Sequence, residues 1–292
     1  MRSLWLGWVL CMGSLSQADQ APDLQALWDF GNPVLSEQRF QAALAGATGD
    51  AALILQTQIA RTYGLRKDFA QARQRLAALA GPIEQAGPEA RARYALELGR
   101  TLASAKHDPQ SLTPEVRDQA RGHFQAALDT ARSAGLDALA IDAIHMFAFL
   151  DTAPADQLKW GEAALEVVLQ SHQRDARRWE PSVRNNMGYA LHQLGRYDEA
   201  RVQFEQALAL REHAGDAQAT RVARWMVGWT LRSVLRLDEA LALQLRLESE
   251  CDAAGAPDPY VFEELEALYQ AKGDAARAAH YAQRKAQASA KP

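Results

Sequence analysis

The stretch NNMGYALHQLGRYDEARVQFEQAL, Asn185 to Leu208, holds two apolar-periodic segments, Met187 to Leu194 and Ala200 to Leu208, divided by Gly195. Each segment predicts a short helix, and Gly195 marks the break between them. Neither helix can bury its apolar stripe alone, so what they pack against decides the fold. The Asn185–Asn186 pair, placed where the first helix begins, asks for a separate explanation.

The partner segments are found by moving along the chain. Around Gly228 the sequence RWMVGWTLRSVLRLDEA repeats the layout around Gly188, and the Asp-Glu-Ala of 198–200 returns at 238–240 with the same offset. This spacing resembles the tetratricopeptide repeat, whose pattern W-x2-L-G-x2-Y…A-x3-F-x2-A is matched by Met187, Gly188, Leu191, Ala200, Phe204 and Ala207, with Arg184 in place of the opening aromatic. Weaker copies tile the rest. Ile59, Ala60 and Tyr63 precede Ala72, Leu76 and Leu79. Leu98, Gly99 and Leu102 precede Ala120, Phe124 and Ala127, across a loop running from His107 to Pro114. AIDAIHMFAFL precedes Trp160 and Ala163, and Leu265 and Tyr269 precede Ala278 and Ala282. About six degenerate repeats are expected over residues 50–286, at roughly 38–45-residue spacing, after a lone second-helix-like piece at Ser36–Leu44. The resemblance implies an all-α, right-handed superhelical α-solenoid of helical hairpins, with residues 19–49 as a helical cap and 287–292 as a disordered tail.

Composition agrees with the class. Helix formers dominate, and no run alternates with β-branched enrichment. The formal net charge is -4, from 32 basic and 36 acidic residues. A phosphate-backbone binder needs a clear basic excess, so no nucleic-acid partner is expected. The opening MRSLWLGWVLCMGSLSQADQ places Arg2 before an apolar run from Leu4 to about Leu15, then Ser16-Gln17-Ala18. That layout reads as a secretory signal over residues 1–18, cleaved after Ala18. The run is too short to span a bilayer, which needs ~20 residues. Cys11 lacks the preceding small residue of a lipoprotein signal. Periplasmic or secreted localisation follows, with a cytoplasmic location as the alternative. Cleavage would leave Cys251 as the only cysteine.

Reaction machinery is not evident. There is no GxGxxG after a strand, no phosphate loop, no HExxH, no GxSxG and no CxxC pair. The seven histidines lack ligand spacing, so neither a metal nor a cofactor is expected. Arg174, Arg177 and Arg178 form a cluster that reads as a solvated helix face.

The resemblance also implies that first helices line a concave surface. Aligned on the Leu-Gly position, the inward set is Gln58 and Arg61; Arg93, Glu97 and Arg100; Asp142 and His145; Asn185, Asn186 and Tyr189; Trp225, Trp229 and Arg232; and Tyr260, Glu263 and Glu264. Asn offers donor and acceptor to a peptide backbone, Arg forks onto carboxylates, and Trp and Tyr give large contact area at low entropy cost. Asn186 matches a peptide-gripping asparagine of several such proteins. Met226 follows it in the next repeat, so no ladder of asparagines continues. With Val222 and Met226 where its basic residues would stand, the clamp that grips C-terminal carboxylates is also not reproduced. Two structural roles compete: Arg61, Glu97, Arg100 and Asp142 as an ion-pair network, and Trp225 with Trp229 as inter-repeat core. The expected function is a non-catalytic scaffold binding a peptide or partner helix in the groove. A cytoplasmic regulatory module binding a small molecule or signal peptide is the alternative, and an enzyme using Asp142, His145 and Arg100 is a third reading.

Overall fold

Gly195 sits at φ +73°, and the Arg196 N–H reaches back to the Leu191 carbonyl at 2.9 Å. This backward bond satisfies a carbonyl left over at the end of the first helix. The same closure recurs at Asp68 to Tyr63, Arg236 to Leu231 and Asp274 to Tyr269, each at 2.9 Å. The left-handed residue in those turns is Lys67, Leu235 and Gly273 in order. Four hairpins are thus turned by one geometry, although only two carry the glycine that it favours.

The computed structural model describes residues 23–290. The signal expected over residues 1–18 lies outside the described residues. All regular elements among the described residues are helical, with no strand. The chain divides into two compact units, the first ending at Ala134 and the second beginning at Gly135.

In the first unit, α1 (Leu24–Leu27) and α2 (Pro33–Leu44) precede α3 (Gly49–Leu65), α4 (Phe69–Ala77), the short α5 (Ala80–Glu84), α6 (Pro88–Arg100) and α7 (Pro114–Ser133). Helix α3 packs on α2, α4 and α6, and α6 packs on α7. Phe40 and Phe124 are fully buried in this stack. The late second helix of the second repeat is α7, reached through a loop that carries His107.

In the second unit, α8 (Asp137–Phe147) pairs with α9 (Pro154–Gln170). A short turn, α10 (Arg174–Arg177), leads to α11 (Glu180–Gln193) and α12 (Tyr197–Ala214), then α13 (Ala217–Ser233) with α14 (Leu237–Ala253), and α15 (Pro259–Ala271) with α16 (Ala275–Ser289). Each hairpin packs on the next: α9 on α11, α12 on α13, α14 on α15. The 185–208 hairpin therefore packs against neighbours on both sides, and each unit is an α-solenoid stack of helical hairpins. Residues 287–289, expected in a disordered tail, continue α16; with Ala286 they read AQAS, which holds helix formers and no breaker before Pro292.

Close approach within hairpins depends on glycine. A Cβ at Gly188 would lie 2.7 Å from the Phe204 ring, and one at Gly99 would lie 2.3 Å from Phe124. The fifth repeat makes the same approach with a polar residue. A Cβ at Gly228 would lie 2.5 Å from Gln244 Nε2, and Gln244 is fully buried with its amide donating to the Trp225 carbonyl.

Candidate functional site

The repeat register fixes which side chains reach the first-helix wall. Counting back from the left-handed turn residue, Gln58 stands to Lys67 as Asn186 stands to Gly195 and Met226 to Leu235; three residues on from these come Arg61, Tyr189 and Trp229. The second unit thus presents amide, thioether and aromatic groups where the first presents amide and guanidinium.

In the second unit a cavity of 360 Å³ opens between α8, α9 and α11. Its walls include His145, Phe149, Trp160, Asn185, Asn186 and Tyr189. Trp160 is held firmly. It stacks on Phe147 with ring centres 4.5 Å apart, and its indole N–H donates to Asp151 Oδ2 at 2.9 Å. Beside it α9 and α11 meet closely, since a Cβ at Gly161 would lie 2.5 Å from Met187 Cγ. His145 meets Phe149 edge-on at 5.3 Å and lies 5.8 Å from the Trp179 ring. The Asn185 Oδ1 is buried and accepts no hydrogen bond from the described residues. Such an oxygen is costly to leave unspent, because burial strips its water. Asn186 and Tyr189 are exposed at the cavity mouth, Tyr189 at 45%.

From Tyr189 the aromatic surface continues along α13 and α15. Its ring is 6.0 Å from Trp229, Trp229 is 5.7 Å from Trp225, and Trp225 meets Tyr260 edge-on at 6.3 Å. The Trp225 indole donates to the Tyr260 carbonyl at 3.0 Å, tying two first helices together. His192 stacks beneath Trp229 at 3.4 Å, and its Nε2 lies 2.9 Å from Ser233 Oγ. Ser233 Oγ donates onward to the Trp229 carbonyl, so His192 Nε2–H is the donor to it. Burial first, and then the charge of Arg232, pushes His192 down to about 4.

The expected wall residues divide by what they do. Arg232 is forked onto Glu264 at 2.7 and 2.8 Å, and this hydrogen bonding raises its pKa. Asp142 is buried. Tyr260 and Glu263 are exposed on α15. The structure gathers His145, Asn185, Asn186 and Tyr189 at the cavity, and Trp225, Trp229 and Tyr260 in the adjoining aromatic line. Trp160 and Phe149 complete the cavity without having been expected there. Both follow from α8 being short, so that its C-terminal turn and α9 face the space.

The first unit treats its wall differently. Glu97 is buried and lies 2.5 Å from Arg100 and 4.0 Å from Arg61. Arg93 pairs along its own helix with Glu89. The Trp28 indole donates to Gln58 Oε1 at 3.1 Å, and Trp28 stacks on Phe30 at 4.7 Å. The Arg61 guanidinium lies 5.4 Å from both rings. Among the described residues no group of three or more His, Cys, Asp or Glu is placed to hold a metal ion, and no helix is long and apolar enough to cross a membrane.

A model of the tetratricopeptide repeat matches residues 179–247, which run from the start of α11 into α14. Over that stretch the chain carries the tetratricopeptide repeat pattern. Solved structures share the fold. One is a signal transduction ATPase with a tetratricopeptide repeat sensor from Pyrococcus horikoshii, with a TM-score of 0.66 at 12% identity over 88% of this chain. This chain spans only 39% of that protein's length. Another is aspartyl phosphate phosphatase F from Bacillus subtilis, with a TM-score of 0.56 at 12% identity, covering 91% of this chain and 69% of that one. No curated protein matches the sequence significantly. A tetratricopeptide stack of this kind is a protein–protein interaction scaffold.

Proposed function

We propose that this chain is a non-catalytic scaffold that holds an extended peptide or a partner helix on the first-helix wall of its second unit. The observation that carries the reading is the buried Asn185 oxygen, unspent in an aromatic-lined cavity that opens beside Asn186 and Tyr189. A protein partner supplies the missing donor, and the Tyr189–Trp229–Trp225–Tyr260 line supplies contact area of the kind concentrated in binding hot spots. His192, whose pKa is pushed well down, is spent on Ser233 and Trp229. In this reading the leader over residues 1–18 delivers the scaffold to the cell envelope, which N-terminal sequencing of the mature protein from a periplasmic fraction tests.

Selection of random peptides displayed on phage against the full chain tests the binding site. Peptides that bind the parent are expected to lose at least tenfold in affinity for Asn186→Ala/Tyr189→Ala, whose positions are exposed, with folding unchanged. Equal affinity for both proteins, or an absence of binders, contradicts the reading.

A further inference from the structure

The two units give different fates to corresponding places. Gln58 on α3 and Asn186 on α11 occupy one register position, and so do Arg61 and Tyr189. Helix α2 packs against α3 as α9 packs against α11. In the first unit the space over this pair is filled by the chain itself: the Trp28 indole donates to the Gln58 carboxamide, meets Phe40 of α2 edge-on at 4.9 Å, and is flanked by Arg61. In the second unit the space is the cavity. Its walls offer related chemistry: a carboxamide at the register position, a second carboxamide oxygen without a described donor one residue before it, where the first unit carries Thr57, and aromatic faces from Trp160, Phe149 and Tyr189.

From this correspondence we infer that the cavity takes a tryptophan side chain from the partner, its ring against these aromatic faces and its indole N–H donating to Asn185 Oδ1. This rests on the peptide-binding reading and names its anchor residue. Phenylalanine would fill the cavity yet leave the Asn185 oxygen unspent. An aliphatic side chain would also forfeit the ring contacts, which favour offset and edge-on aromatic neighbours.

The test is a chemical-shift titration of the full chain with N-acetyl-tryptophanamide, with N-acetyl-phenylalaninamide as comparator. The tryptophan probe is expected to shift the side-chain amide of Asn185 and the indole of Trp160, and to bind about fivefold more tightly than the phenylalanine probe. Asn185→Leu, of similar shape, should abolish that preference while leaving ring binding in place. Ala148→Phe, which fills the cavity from the end of α8, should abolish binding of both; Asn186→Ala keeps the comparison readable if the plugged protein does not fold. Failure of the tryptophan probe while phage-selected peptides bind the same wall overturns the anchor but leaves the peptide reading intact. Equal binding of the two probes, or a preference that survives Asn185→Leu, also overturns the anchor. Absence of any peptide binder removes both.

Discussion

Gln58 and Asn186 hold equivalent positions on their helices, yet one is sealed and the other faces an open cavity. Over Gln58 the chain lays down Trp28 and Phe30, and the neighbouring Glu97 is shared by Arg61 and Arg100. Over Asn186 none of the described residues is laid down, and Arg61 and Arg100 have Tyr189 as their counterpart. The difference teaches that a repeat's register fixes where a side chain points but not whether it is available. Availability depends on what the rest of the chain places in front of it. A wall covered by its own chain adds stability to its own unit, whereas an open one with an unspent acceptor is poised for a guest.

The largest effect that probes this contrast lies beneath the walls, in the glycine approaches the two units share. Gly188→Leu in the second unit drives a side chain into Phe204 and should cost about 3 kcal/mol of stability. Gly99→Leu against Phe124 should behave alike in the first, as denaturant unfolding can measure. An unchanged midpoint for either would break the register on which the comparison stands. Next, Trp28→Ala should destabilise the chain by about 2–3 kcal/mol, since it removes a ring packed on Phe40 and leaves Gln58 without its donor. Asn186→Ala/Tyr189→Ala should stay within about 0.5 kcal/mol, because an open wall supports little of its own unit. Similar losses for the two variants would erase the distinction between sealed and open. Smaller still is the turn. Lys67→Gly and Leu235→Gly relieve left-handed backbone in one unit each, and should each raise stability by about 0.5–1 kcal/mol in thermal melts. A further effect depends on pH. An unfolded His192 takes up its proton near 6.5, the folded one only near 4, so between those values the unfolded state binds more protons and stability is lost as the pH is lowered. The register places Gly64 at that position in the first unit, so His192→Gln should flatten the decline in melting temperature over this window.

Much of the fold was legible because packing repeats. Gly188 with Phe204 and the Asp-Glu-Ala recurrence mark hairpins wherever close approach demands a small residue, and helix formers fill the rest. Substitutions obscured some copies. Leu235 occupies a turn position that favours glycine, and Gln244 stands where the pattern carries phenylalanine. Directions toward the wall could be read for Asn185, Asn186, Tyr189 and Trp229, since helical periodicity sets them. Engagement could not be read. The Arg232–Glu264 fork and the Trp225–Tyr260 bond join successive first helices, and depend on rotamers that spacing does not specify. Trp28 lies about a repeat's length from Gln58 and outside any periodic segment, so no local pattern announces that it seals the first wall.

The most direct test sets the two register pairs side by side in one binding measurement. Asn186→Ala/Tyr189→Ala and Gln58→Ala/Arg61→Ala are compared by calorimetric titration with a phage-selected peptide, alongside their melting temperatures. The account predicts that the former loses at least tenfold in affinity and melts like the parent, while the latter melts lower and binds the peptide normally. Peptide affinity that follows the Gln58 and Arg61 pair, and ignores Asn186 and Tyr189, would contradict it.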